Sequence, residues 1–187
     1  MASHHNQHSN NAQEQPPVPP DRPIVLVGMM GVGKSSVGRK LADRLGIPFV
    51  DADDEIELAA GMTVAEIFER FGEPYFRDGE RRVIARLIDG NPKVIATGGG
   101  AFINEETRML ILDKALSVWL DADIAILVER VGRRTHRPLL HGRDAGEVLT
   151  ELGAARNPVY AKANIHIRSD TAPHALTVES ILKAMAQ

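Results

Sequence analysis

Cysteine is absent from this chain. Disulfides and thiolate-ligated metal sites are thereby excluded, and the composition suits a reducing compartment. No run approaches the roughly 18 consecutive apolar residues that a membrane helix needs. The N-terminus also lacks the apolar stretch of a secretory signal. A cytoplasmic protein without a membrane partner is therefore expected. Basic charge is not in excess either: the formal net charge is −3. A global field that would attract nucleic acid is missing, and no nucleic-acid partner is expected.

What is present is ordinary for a globular protein. Hydrophobic residues make up 43% and charged residues 25% of 187 positions. That length suits one domain and can bury a sizeable core. Residues 1–22, "MASHHNQHSNNAQEQPPVPPDR", have almost nothing to bury and are expected to form a disordered tail. Residues 23–187 are expected to form the single folded domain.

From Ile24 onward, short apolar runs alternate with amphipathic helices. "IVLVG" at 24–28, "IPFVD" at 47–51, "KVIATGGG" at 93–100, "LSVWLD" at 116–121 and "ANIHIR" at 163–168 read as strands. Val37, Leu41 and Leu45 recur at helical spacing, and Gly46 closes that helix. Thr63 and Glu66 have capping-box spacing ahead of Ile67, Phe68 and Phe71. A charged helix is expected around 74–88, another over 122–131, one over about 144–160 distorted before Pro158, and a last one around Leu176–Met185. Five strands separated by helices predict a three-layer α/β/α fold with a five-stranded parallel sheet. Such sheets bind ligands at the C-terminal ends of their strands. Gly28, Asp51 and Gly98 all fall at such ends, so they are expected to share a cleft.

Gly28-Met29-Met30-Gly31-Val32-Gly33-Lys34-Ser35 fits G-x-x-x-x-G-K-[ST] at every fixed position, between a predicted strand and a predicted helix. Glycines allow backbone N–H groups to converge on phosphates, and the helix start adds a positive dipole end. Lys34 is then expected at the β- and γ-phosphates of ATP and Ser35 at Mg²⁺, with Gly31, Val32, Gly33 and Ser36 completing the nucleotide loop. The strand before Gly98 lacks the aspartate that many such proteins use for Mg²⁺, which leaves Asp51 as the outer-shell partner.

Asp51 and Asp53 lie two residues apart, so an extended chain turns both to one face. One suits a water of the Mg²⁺ shell; the other suits a substrate hydroxyl, to orient or deprotonate it. The competing role is helix capping, which fits Asp54 and Glu55 best. Arg77, Arg137 and Arg156 are scattered, and most arginines only solubilise a surface. Glu80, one helical turn after Arg77, is spaced to hold that guanidinium. Two planar guanidinia recognise a carboxylate by paired hydrogen bonds. Gly98-Gly99-Gly100 is either a flexible turn or backbone bared for a ligand. Residues 132–146, "GRRTHRPLLHGRDAG", carry four arginines but no interleaved aromatics, so a mobile lid over phosphates suits them better than an RNA patch.

Together, "GMMGVGKSS", "DAD", "FRDGE", "TGGG", "RPLL" and "RNPVY" resemble shikimate kinase, within the nucleoside monophosphate kinase-like P-loop group. The resemblance runs from about Ile24 to the C-terminus. It implies a P-loop kinase fold and transfer of the γ-phosphoryl of MgATP to the 3-hydroxyl of shikimate, a step of aromatic amino acid biosynthesis. It assigns Lys34 and Ser35 to phosphates and Mg²⁺, and gives Asp51 a water-mediated part. Asp53 falls to the ring hydroxyls as candidate base, Arg77 and Arg156 to the carboxylate, and Gly98, Gly99 and Gly100 to backbone contacts with substrate. Arg137 would touch phosphate and substrate from the lid, and Arg130 would stack on adenine. The substrate region spans about 51–90 and a monomer is expected. The lid departs from the family in reading "GRRTH" before "RPLL", and the tail lies outside the family pattern. The nearest rival is a gluconate or nucleoside monophosphate kinase. A nucleotide-dependent switch is the rival from another class; it is disfavoured because the Asn-Lys-x-Asp guanine signature is missing.

Overall fold

The computed structural model describes residues 20–132, 142–169 and 171–187. The expectations for the tail, for Arg137 and for most of the lid concern residues outside these.

Strands β1 (Ile24–Val27), β2 (Phe49–Asp51), β3 (Val94–Ala96), β4 (Leu116–Asp121) and β5 (Ile165–Arg168) form one parallel sheet in the order β2-β3-β1-β4-β5. In the register, Ile24 sits between Val94 and Leu116. Burial follows that order. Every residue of β1 and β3 is buried, whereas the edge strands β2 and β5 are partly exposed. Strands covered on both faces need continuous apolar runs, and "IVLV" is one. The chain leaves β1 between two outward-running connections, so the loop after it is the switch point of the sheet.

The helices are α1 (Lys34–Leu45), α2 (Ala52–Ala60), α3 (Val64–Leu87), α4 (Glu105–Lys114), α5 (Ile124–Gly132), α6 (Ala145–Tyr160) and α7 (His174–Met185). A 3-10 turn, Ala101–Ile103, precedes α4. Short polar side chains start several of them, as helix ends with orphan N–H groups require. Asp51 caps α2, Asn104 caps α4 and Asp144 caps α6. Thr63 and Glu66 form the full capping box on α3.

The break expected between a helix around Phe68 and another from about 74 falls within α3 at Gly72, whose non-helical φ 80 and ψ 174 separate two helical segments. Only glycine adopts that backbone cheaply, and Pro74 then opens the second segment, where a missing N–H costs least. Helix α6 runs through Pro158 to Tyr160, matching the expected span of about 144–160. Proline's missing N–H falls near the helix end, opposite exposed Ala154. Helix α4 is an addition to the expected elements. Its apolar residues do not keep to one face: Ile111 is fully buried while Met109 is 63% exposed. Among the described residues, no helix is long and apolar enough to cross a membrane.

Thr63→Ala should lower unfolding free energy by about 1 kcal/mol, the usual value of a cap, while Thr63→Ser keeps most of it. Urea unfolding midpoints check this.

Candidate active site

The loop from β1 into α1 wraps a cation. Lys34 is buried, and its Nζ donates to the carbonyls of Gly28 at 2.8 Å and Met29 at 2.9 Å. Gly33 enters α1 with φ 99, so the helix begins without a side chain in the way. Val32 turns its side chain into the core, and its carbonyl accepts from Arg130 Nη1 at 3.2 Å. That contact brings α5 over the loop.

Asp51 ties three elements together. Its Oδ2 accepts from Ser35 Oγ at 2.6 Å, at the start of α1. Its Oδ1 accepts from the Asp53 backbone N at 3.0 Å, at the start of α2. The competition between capping and chemistry is thus resolved in an unexpected way. Asp51, not Asp54 or Glu55, is the cap, and its second oxygen remains on the loop serine. The reason both acids share a face also changes. Asp53 is already in the first turn of α2 rather than in extended chain.

Gly31, Gly33, Lys34, Ser35, Ser36, Asp51, Asp53, Gly98, Gly99 and Arg130 line one open cleft of about 320 Å³. Lys34 and Asp53 therefore face the same space. Burial, then Asp51, then Glu80 push the Asp53 carboxyl up to about 6, with Lys34 pulling the other way. Its Oδ1 is buried and has no hydrogen-bond partner among the described residues.

Behind the cleft lie two arginines. Arg77 Nη1 donates to Glu80 Oε2 at 2.7 Å, and its Nε and Nη2 reach Glu73 at 3.2 Å each. Burial works against the Arg77 charge, but Glu80 and Glu73 outweigh it and raise its pKa. Glu80 is 2% exposed. Burial raises its carboxyl, against the opposing pull of Arg77 and Arg156. Gly99 and Gly100 lie in a turn where the Ala101 N–H donates to the Gly98 carbonyl at 3.2 Å, and none of the three glycines has a positive φ. Side chains are missing there because other groups occupy the space. A Cβ on Gly98 would meet Glu80 Oε1 at 2.8 Å and Asp53 Oδ1 at 3.3 Å. On Gly99 it would meet Arg156 Nη1 at 3.4 Å, and on Gly100 it would fall inside the Arg77 guanidinium. The three glycines thus bring Asp53, Glu80, Arg156 and Arg77 against one strip of backbone.

Sequence reasoning missed some neighbours. Thr97, just before the glycines, donates from Oγ1 to the Leu26 carbonyl at 2.9 Å and fastens β3 to β1. His174 Nε2 stands 3.2 Å from where a Gly33 Cβ would be; no motif points to it. Tyr160 hydrogen-bonds the Gly99 carbonyl from the fully buried end of α6. A signal for it exists, since Tyr160 is four residues after Arg156 and shares its helix face.

A phosphate-cradling loop at the switch point, opened toward a buried acid across one cleft, defines a P-loop kinase for a small acceptor. Similarity to known proteins narrows that class. A family model described as shikimate kinase matches residues 30–186. A shikimate kinase from Caulobacter vibrioides is 61% identical over 164 residues, covering 88% of this chain and 82% of the relative. One from Novosphingobium aromaticivorans is 58% identical over 170 residues, covering 89% of this chain and 88% of the relative. A solved shikimate kinase from Acinetobacter baumannii, in complex with shikimate, superposes with a TM-score of 0.85 at 34% identity, covering 91% of this chain and 94% of its own. The chain belongs to the shikimate kinase family.

Two expectations follow from the geometry. Asp53 is costly to hold ionised. In ligand-free protein its contribution to stability is fully present below its ordinary value of 3.8 and is lost as pH rises through about 6. Asp53→Asn should therefore stabilise the ligand-free fold at pH 7.5, by on the order of 2 to 3 kcal/mol, with the gain fading toward pH 4. Thermal melts across pH without Mg²⁺ or substrates test it, and a destabilised variant at pH 7.5 would contradict it. Gly100→Ala should displace the Arg77 guanidinium and weaken binding of a carboxylate substrate about tenfold or more, while the melting temperature changes little. Equilibrium titration with shikimate, alongside a melt, checks both halves.

Proposed function

We propose that the chain transfers the γ-phosphoryl of ATP to the 3-hydroxyl of shikimate, giving shikimate 3-phosphate and ADP. The observation that carries this reading is the opening of Lys34 and Asp53 into one cleft. A phosphoryl group can be handed between them only there.

In this reading, the N–H groups of the Gly31–Ser36 loop and the Lys34 ammonium hold the β- and γ-phosphates. Ser35 Oγ and Asp51 Oδ2, 2.6 Å apart, offer the hard oxygen donors that Mg²⁺ prefers, so the residues fit that ion. When bound, Mg²⁺ supplies charge neutralisation along the phosphates. Arg130 lies over the loop as a platform for adenine. Asp53 accepts the 3-hydroxyl and aims its oxygen at the γ-phosphorus. A carboxyl near 6 is poised to take a proton close to neutral pH. The bond from γ-phosphorus to the bridging β-oxygen breaks and a bond to the shikimate oxygen forms. The hydroxyl proton passes to Asp53 and ADP leaves.

Arg77 and Arg156 pair with the substrate carboxylate beside Gly98, Gly99 and Gly100. A ligand without that carboxylate would leave two cations unmatched, which is the source of selectivity over other polyols. Arg137, from the 132–146 segment, is assigned to the transferring phosphoryl group by resemblance. Residues 51–90 form the substrate region of a single domain spanning 23–187. A monomer is proposed as the working unit. Dependence on ATP suits a cytoplasmic enzyme.

A coupled ADP-release assay with MgATP should show turnover with shikimate and little with gluconate or nucleoside monophosphates. Arg77→Ala should raise the shikimate KM by one to two orders of magnitude while the ATP KM stays within about twofold. Equal losses for both ligands would remove Arg77 from the carboxylate site.

A further inference from the structure

The groups assigned to the carboxylate do not hold themselves in place. The Tyr160 hydroxyl donates to the Gly99 carbonyl, and Arg156 Nη1 borders the same glycine, 3.4 Å from where a Gly99 Cβ would be. Tyr160 and Arg156 are one turn apart on α6. The phenol and the arginine thus meet at one glycine.

The planarity of the peptide makes this bond consequential. The Gly99 carbonyl and the Gly100 N–H belong to one trans unit and point in opposite directions. Pinning the carbonyl toward Tyr160 therefore sets the direction of the Gly100 N–H. Gly100 is the residue packed on the Arg77 guanidinium. Arg156, against Gly99, and Arg77, against Gly100, flank the peptide whose orientation that hydroxyl fixes.

The ring is itself clamped. Tyr160 is fully buried and packs on Trp119, with ring centroids 6.0 Å apart. Trp119 in turn abuts the phosphate loop, its Cδ1 lying 3.3 Å from where a Gly28 Cβ would be. Gly99 also borders that loop, 3.5 Å from the Met30 N by the same measure. Burial raises the phenol to about 12, against the pull of Arg156, so it stays a donor throughout the working range. Tyr160 is not among the residues that line the nucleotide cleft.

We propose that Tyr160 is a positioning residue that aligns Arg156 and the Gly99–Gly100 peptide for the substrate carboxylate. This deepens the reading of the site given above and rests on its assignment of Arg156.

Tyr160→Phe keeps the ring and removes the hydroxyl. It should raise the shikimate KM about tenfold, the size of a buried carbonyl left without its donor, with kcat within about threefold and the ATP KM within about twofold. The melting temperature should move by only a few degrees. Arg156→Ala, run beside it, should raise the shikimate KM further. The double variant should be less than multiplicative, because both changes strike one unit. An unchanged shikimate KM in Tyr160→Phe, with Arg156→Ala impaired, overturns the role of Tyr160 and leaves the carboxylate site standing. An unchanged KM in Arg156→Ala overturns both. A parallel rise of both KM values with a lower melting temperature identifies a purely structural residue and also overturns the proposal.

Should Tyr160→Phe not fold, a fluorinated tyrosine at position 160 in a Tyr75→Phe background preserves the packing and lowers the pKa of the phenol. The shikimate KM should then climb with pH as that phenol ionises, over a range where the Tyr75→Phe parent stays flat. Superimposable profiles would refute the proposal.

Discussion

The active end of this molecule depends on one carboxylate. Asp51 closes β2, caps α2 through the Asp53 backbone N and accepts from Ser35 at the start of α1. Without it, the phosphate loop and the acid opposite would be set by separate parts of the chain. With it, a shift of α2 is also a shift of Asp53 relative to Ser35. Charge-assisted bonds to a backbone N–H and a hydroxyl are short and directional, so the coupling is stiff. Catalysis by positioning needs that stiffness, since a loose phosphoryl transition state leaves the protein little covalent work.

The side of the cleft that meets the triple glycine is built against stability. Asp53 and Glu80 each keep a buried carboxylate oxygen without a partner among the described residues, and both face the space vacated by the Gly98 side chain. Burial lifts both carboxyls. Arg77 and Arg156 soften the penalty at Glu80, whereas the attraction that opposes it at Asp53 comes from Lys34. Desolvated, incompletely matched polar groups are what a polar ligand can satisfy on binding. The sheet core, from Ile24 to Leu120, supplies the stability that offsets this arrangement.

Much of this is legible without coordinates. The five strands, the capping box at Thr63 and the glycine loop have local causes, namely side-chain periodicity, cap chemistry and backbone permissiveness. Helix α4 is not legible, since Met109 and its apolar neighbours follow no single face. The break between the two segments of α3 is legible as well, and it falls at Gly72, where only glycine takes φ 80 cheaply. At the site, the spacing of Arg77 and Glu80 foretells their ion pair, seen at 2.7 Å. The cap of α2 is Asp51 rather than Asp54 or Glu55. A small shift in where β2 stops and α2 starts moves the cap by a few residues, and local pattern does not fix that boundary.

Sequence by itself determined which residue types are available and the local geometry around each: a phosphate loop between strand and helix, acids two apart, and a run of glycines. It also carried the family, through motifs whose order does not depend on folding. Only tertiary structure decided which of these meet. The sheet order places β3 between β2 and β1, and so sets Gly98 beside Asp53 and Gly99 beside the phosphate loop. The return of α6 sets Arg156 and Tyr160 against the same glycines. Tyr160 and Gly99, for instance, are 61 positions apart in the chain. Such meetings follow from burying apolar faces over the whole domain, and no local pattern encodes them.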